Sequence, residues 1–199
     1  MQRKRSGARV RAKIMTCDQQ DALIAHLSSS RHGTRNAVLG LLSCKAGLRA
    51  CEMAGLDWAM VLDATGRIGS LLEITGTIAK YGSARSIPVH PQLRSALRRL
   101  HAEQRRPVVG PVCRSQRGRQ MTAKSIVNLF TGTYRELGYR GCSSHSGRRT
   151  LITLAARQLH RAGASLKDIQ LMVGHRNLAT TSAYIEGDSL AQKRLIGLL

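Results

Sequence analysis

What most limits the folds open to this chain is the place where its helical periodicity fails. Before Gly47 and after Gln92 apolar residues recur at i, i+3 and i+4, but between Trp58 and Val89 they come in short stretches separated by turn residues. Residues 59–63 read as a strand and 64–67 as a turn, while Leu72, Ile74 and Ile78 share the parity of a second strand interrupted by Gly76. Residues 81–84 then turn the chain into 85–89, where Pro88 suits an edge strand. So short a span holds only a small antiparallel sheet, of about three strands. The fold class is therefore α+β, mostly α-helical.

The helices on either side are read from their apolar faces. Leu23, Ile24 and Leu27 mark one beginning near Asp18, and Val38, Leu41 and Leu42 mark a second that starts after Gly33 and ends at Gly47. Leu93, Leu97 and Leu100 define a helix over 92–103. Ile126, Leu129, Phe130, Tyr134 and Leu137 define another over 122–137, and a basic loop joins the two. Leu151, Leu154, Ala155, Leu159 and Ala162 share a face of a helix that Gly163 should stop. Ser165 and Asp168 have capping-box spacing for a short helix ending at Gly174. Residues 179–185 and 189–199 read as two further short helices. A chain of 199 residues allows one domain, with residues 1–15 as a basic N-terminal arm.

Charge restricts the partner. Lys and Arg total 32 against 11 Asp and Glu, a net +21, and 25 of the cations are Arg, which favours bidentate recognition of phosphate. The expected partner is nucleic acid. One Trp, one Phe and four Tyr supply few platforms for stacking unpaired bases, which points to double-stranded DNA. The arm residues Arg3, Lys4, Arg5, Arg9, Arg11 and Lys13 are candidate DNA contacts. Five cysteines with no C-x-x-C pair support neither a disulfide framework nor a zinc site. No apolar run approaches the roughly 18 residues of a membrane span, and no apolar stretch follows the basic start. The expectation is a soluble, cytoplasmic, nucleoid-associated protein.

Common catalytic signatures are missing: there is no G-x-x-x-x-G-K-[ST], G-x-G-x-x-G, H-E-x-x-H or G-x-S-x-G. Acids are too sparse for a nuclease that clamps two metal ions. Phosphate chemistry would have to use the protein's own cations. Candidates are His145-Ser-Gly-Arg148 at a helix start, Gly174-His175, Tyr184, Arg49 with Glu52 three residues on, and Lys80 beside a turn. Taken singly, each has an ordinary explanation as a cap, a surface pair or edge protection.

Their joint order does not. Ala46-Gly-Leu-Arg49-Ala-Cys-Glu52, Lys80 ahead of Arg85-Ser-Ile-Pro-Val89, His145-Ser-Gly-Arg148-Arg-Thr150, Gly174-His175 and Tyr184 resemble, in sequence order, the tyrosine recombinase or phage integrase family. The resemblance runs from about residue 16 to the end. It implies a catalytic domain over 16–199 with a C-terminal tail helix near 188–199, in which Arg49 and Arg148 are the two family arginines. His145 and His175 would be the two histidines, Lys80 the β-hairpin lysine, Tyr184 the nucleophile and Glu52 the acid that orients its neighbours. Lys80 is assigned by counting back from R-x-I-P, and the loop lacks the further lysine and glycine common there.

The activity so implied is site-specific cutting and rejoining of duplex DNA through a 3′-phosphotyrosyl intermediate, without metal, ATP or other cofactor. Implied partners are DNA, further copies of the chain (dimer or tetramer) engaged through the tail, and DNA-bending accessory proteins. Source would be bacterial or phage. Two other activities fit the same residues: relaxation of DNA in the manner of a type IB topoisomerase, and inert DNA-binding regulation. Large family members carry a helical core-binding domain ahead of the catalytic one, whereas only about 15 residues precede the pattern here, a length that resembles the short fimbrial phase-switch invertases. A minimal recombinase that uses its arm and the catalytic part of a longer integrase both fit, and the Met1 start favours the first.

Overall fold

Helix starts follow local chemistry. In the computed structural model, which describes residues 12–184 and 196–197, Thr16 caps α1 (Cys17–Ser29) by accepting the Gln19 N–H, while the Gln19 side chain accepts the Thr16 N–H. α2 (Gly33–Lys45) buries every residue from Asn36 to Cys44 and runs through the middle of the molecule, against α1, α4 (Pro91–Glu103) and α6 (Ser146–Gln158). Between α2 and α4 lie α3 (Ala50–Gly55) and a strand pair, β1 (Leu71–Ile74) and β2 (Arg85–Pro88). α5 (Ala123–Glu136), capped by Thr122, packs on α1 and α3. α7 (Leu166–Val173) opens at the expected Ser165–Asp168 box, where Asp168 accepts the Ser165 N–H at 2.7 Å, and α8 (Leu178–Ser182) follows.

One large apolar core joins Leu23, Leu27, Leu39, Leu42, Trp58, Leu72, Ile74 and Phe130. A second, much smaller one consists of Ile152, Ile169 and Val173, with Tyr184 packed at its edge.

The sheet among the described residues has two antiparallel strands rather than three, with Leu71 opposite Pro88 and Ile74 opposite Arg85. Parity holds, since Leu72 and Ile74 point inward and Leu71 and Glu73 outward. The expected first strand is instead a 3-10 turn at Trp58–Met60 followed by a lone bridge between Leu62 and Ile68. Two side chains divert it. Asp57 caps the turn through the Ala59 N–H, and Asp63 accepts from the Thr65 and Arg67 N–H groups, so backbone donors go to carboxylates instead of a ladder. Ile78 also leaves the strand, in a turn closed by the Ala79 N–H on the Thr75 carbonyl. α6 ends at Gln158, earlier than Gly163 suggested, and Ala162 sits in the turn beyond it; the deepest residues of α6 are Ser146, Thr150 and Ile152. The expected helix at 189–199, apart from residues 196–197, and the arm residues Arg3, Lys4, Arg5, Arg9 and Arg11 lie outside the described residues.

Candidate functional site

α6 comes so close to α2 that a Cβ at Gly147 would stand 2.2 Å from Ser43 Oγ, so glycine is required at the touching point. The next residue, Arg148, is thereby driven into the protein. It is 3% exposed, and its Nη1 and Nη2 donate to the carbonyls of Gly47 and Val173, both at 2.6 Å. One guanidinium therefore ties the α2–α3 turn to the C-terminus of α7, where the helix dipole welcomes a cation. Burial first, then the charge of Arg49, lowers its pKa to about 9, and it stays charged at pH 7.

Arg49 precedes α3 and is organised by Glu52, which is fully buried. Glu52 Oε1 accepts from Arg49 Nη1 at 2.9 Å and from Arg85 Nη1 at 3.1 Å. Its Oε2 accepts from the Arg49 backbone N–H and from Arg85 Nη2, both at 2.9 Å. Four donors thus satisfy one carboxylate. Burial pushes the Glu52 pKa up, but hydrogen bonds from Arg85 and Arg49, together with their charges, outweigh it and hold the carboxyl below its ordinary value. Arg85 also donates from Nε to the Met172 carbonyl at 3.1 Å. It is the residue that reading the sequence missed. The available sign was its place in R-x-I-P, which gives it the inward parity of Ile87 but not the carboxylate it meets there.

α7 ends at Gly174, whose φ of +67° makes it the left-handed cap the sequence suggested. His175 follows, its turn clamped by Gln170, which donates from Nε2 to the His175 carbonyl at 2.8 Å. Nδ1 of His175 lies 2.9 Å from Thr181 Oγ1, and its ring stacks on Tyr184 with centroids 5.8 Å apart. Burial, then the charges of Arg148, Arg49 and Arg85, lowers the His175 pKa to about 4, so the imidazole is neutral at pH 7. His145 is an exposed N-cap of α6 whose backbone N–H donates to Ser143 Oγ at 3.3 Å. Lys80 stands in an exposed turn with its Nζ 4.9 Å from the Tyr81 ring centroid, and Arg176 approaches the same ring at 5.4 Å.

Arg49, Lys80, His145, Arg148, His175 and Tyr184 all line one open cleft of about 840 Å³, large enough to admit a phosphodiester with its sugars, and Glu52 lies behind its wall. Tyr81 and Arg176 sit at the same opening. Of the arm residues expected to contact DNA, Lys13 is the one described; it is exposed, and its backbone N–H donates to the Gly141 carbonyl at 3.0 Å. Among the described residues no group of three or more His, Cys, Asp or Glu comes together as a metal site, and no helix is long and apolar enough to cross a membrane.

A mostly helical domain carrying a small antiparallel sheet in this order has the fold of tyrosine recombinase catalytic domains. The Tn1549 transposon integrase in complex with a circular intermediate DNA matches with a TM-score of 0.72 at 19% identity, over 98% of this chain and 68% of that one. A lambda integrase dimer bound to a COC′ core site matches with 0.69 at 18%, over 94% and 53%. The chain belongs to the phage integrase family, whose model matches residues 13–189. A curated relative, tyrosine recombinase XerC of Azotobacter vinelandii, is 30% identical over 146 residues, covering 72% of this chain and 45% of that protein. The chain spans about half the length of the curated relatives it matches.

Proposed function

We propose that this chain is a site-specific recombinase that cuts and rejoins duplex DNA, with residues 16–199 as its catalytic domain. The observation that carries the reading is the convergence of Arg49, Arg148, His175 and Tyr184, from four separate stretches of the chain, on one cleft. Arg49 and Arg148 neutralise the non-bridging oxygens of the scissile phosphate, a task two guanidinium forks perform without metal. Tyr184 Oη attacks phosphorus and His145 takes its proton. As the Oη–P bond forms, the P–O5′ bond breaks and Lys80 protonates the departing 5′ oxygen. Attack by a second strand's 5′-hydroxyl reverses these steps, so the bond energy is kept and ATP is not needed. His175 donates a hydrogen bond to the phosphate. Tyr184 lies in the cleft of its own chain, which favours cleavage in cis.

Duplex DNA is the proposed substrate, held by the many arginines outside the cleft and by the arm residues 3–13, so affinity should fall steeply with salt. Further copies of the chain and DNA-bending proteins complete the proposed assembly. The test is a nicked suicide duplex carrying the true site: a covalent adduct that survives denaturant is expected from the wild type and none from Tyr184→Phe. No adduct from the wild type would sink the reading and favour an inert regulator. Plasmid relaxation with no exchange between paired sites would favour a topoisomerase.

A further inference from the structure

Thr181 reaches the cleft only through another residue. It stands on α8, two positions before the turn that carries Tyr184, and it is 0% exposed. Among the described residues its hydroxyl has one hydrogen-bond partner, His175 Nδ1 at 2.9 Å. A threonine inside a helix commonly donates back to the carbonyl four residues earlier. Here that carbonyl, of Asn177, takes the Thr180 N–H instead, and no bond from Thr181 Oγ1 to it is formed.

This geometry decides where the imidazole proton sits. A neutral imidazole has one N–H, so either Nδ1 donates to the hydroxyl or the hydroxyl donates to Nδ1. In the first arrangement the hydroxyl proton would be buried with no acceptor, a costly state. In the second every group is satisfied, and the ring proton is on Nε2. We infer that Thr181 is a positioning residue that holds His175 in its Nε2–H tautomer, aiming a hydrogen-bond donor from the cleft wall at a phosphate oxygen, and that the same bond docks the nucleophile's helix onto the histidine turn. The inference rests on the proposed function for its catalytic consequence, but its tautomer claim does not.

The geometry explains a choice of chemistry. Burial, and then the charges of Arg148, Arg49 and Arg85, disfavour an imidazolium, and the ring is neutral at pH 7. A neutral ring can serve a phosphate as a donor only if its proton faces outward. With the lone pair facing outward, the same ring would repel the anion it is meant to hold.

Two measurements on the full chain test this. With 15N-labelled histidine, long-range 1H–15N correlation should show His175, assigned by its loss in His175→Ala, as the Nε2–H tautomer with a hydrogen-bonded Nδ1. An Nδ1–H tautomer in the wild type overturns the inference whether or not the protein cleaves DNA. On the suicide duplex, Thr181→Val should slow adduct formation about 10- to 100-fold, the range set by losing a hydrogen bond to a charged group, and Thr181→Ser should restore it. In a His175→Ala background Thr181→Val should cost nothing more, because its effect passes through that ring. A wild-type rate in Thr181→Val, or a loss that adds in full to that of His175→Ala, overturns it. Should the valine variant fail to fold, Thr181→Ala against Thr181→Ser serves the same comparison. A wild type that gives no adduct condemns the functional reading, while the tautomer measurement still stands or falls alone.

Discussion

The two walls of the cleft are built differently. On one, Arg49, Glu52, Arg85 and Arg148 form a closed set of ion pairs and carbonyl bonds at 2.6–3.1 Å, backed by the large core that contains Trp58 and Phe130. On the other, Tyr184 packs at the edge of a small cluster of Ile152, Ile169 and Val173, His175 stacks on Tyr184, and Lys80 lies over the Tyr81 ring in an exposed turn. The difference teaches a division of labour. Under the proposed function, the charges around the phosphate would be locked before DNA arrives, which is the condition for electrostatic preorganisation. Tyr184 and Lys80, the proposed nucleophile and proton donor, stand on the more thinly packed wall, where local stability should be lower.

The sharpest way to separate the walls is by what their loss removes. Tyr184→Phe should abolish the covalent adduct while leaving thermal stability and DNA affinity unchanged, as read by denaturing gels, melting and gel shift. Arg148→Ala should lose both functions of its wall: adduct formation by about 1000-fold or more, and about 3 kcal/mol of stability from two charge-assisted bonds left unmade. An Arg148→Ala protein that melts like the wild type would break the comparison.

Core truncations follow in size. Phe130→Ala should cost about 3–5 kcal/mol and lower the global denaturant midpoint, whereas Val173→Ala should cost roughly 1–2 kcal/mol and act locally, raising amide exchange in α7 and α8 before the rest of the fold. Equal exchange across the molecule would remove the distinction. Arg85→Lys comes next. It replaces a fork with a point charge, so Glu52 loses its paired donors and the Met172 carbonyl its Nε bond. A loss of about 1–2 kcal/mol is expected, with adduct formation slowed because Arg49 is no longer held by a fully occupied carboxylate.

Acid should produce the smallest and most selective effect. The His175 pKa is about 4 in the fold, below its ordinary value near 6.5, so between these values the unfolded chain binds the extra proton. Stability contributed by keeping this ring neutral is present above about pH 6.5 and is lost as pH falls toward 4. Glu52 is depressed in the same direction, so its contribution is present above the ordinary carboxylate range and is lost at lower pH than that of His175. Exchange near α7 and α8 should therefore rise first on acidification, and loosening of the Arg49 wall should follow. The reverse order would show that the thinly packed wall is not the weaker one.

Much of the helical frame was legible in the sequence because its signals are local. The Ser165–Asp168 box, the stop at Gly174 and the apolar faces of α4 and α5 depend on neighbours within four residues. The expected first strand does not form because Asp57 and Asp63 take backbone donors, competing interactions that resemble those of ordinary turn residues until the chain is folded. Arg85 was passed over for a related reason. Alternation puts Arg85 on the inward face with Ile87, but nothing in it says that the guanidinium meets a carboxylate 33 residues away.

By itself, then, the sequence determined most of the helices, the net charge of +21 from which a polyanionic partner is proposed, and the order of residue types that carries the family resemblance. Only the tertiary structure decided which of the 25 arginines gather around one carboxylate, and that Thr181 faces His175. The physical reason is one of range. Caps and amphipathic faces are settled within a helical turn, whereas burial of a charge and direction of a proton are set by groups that meet only when distant stretches pack together.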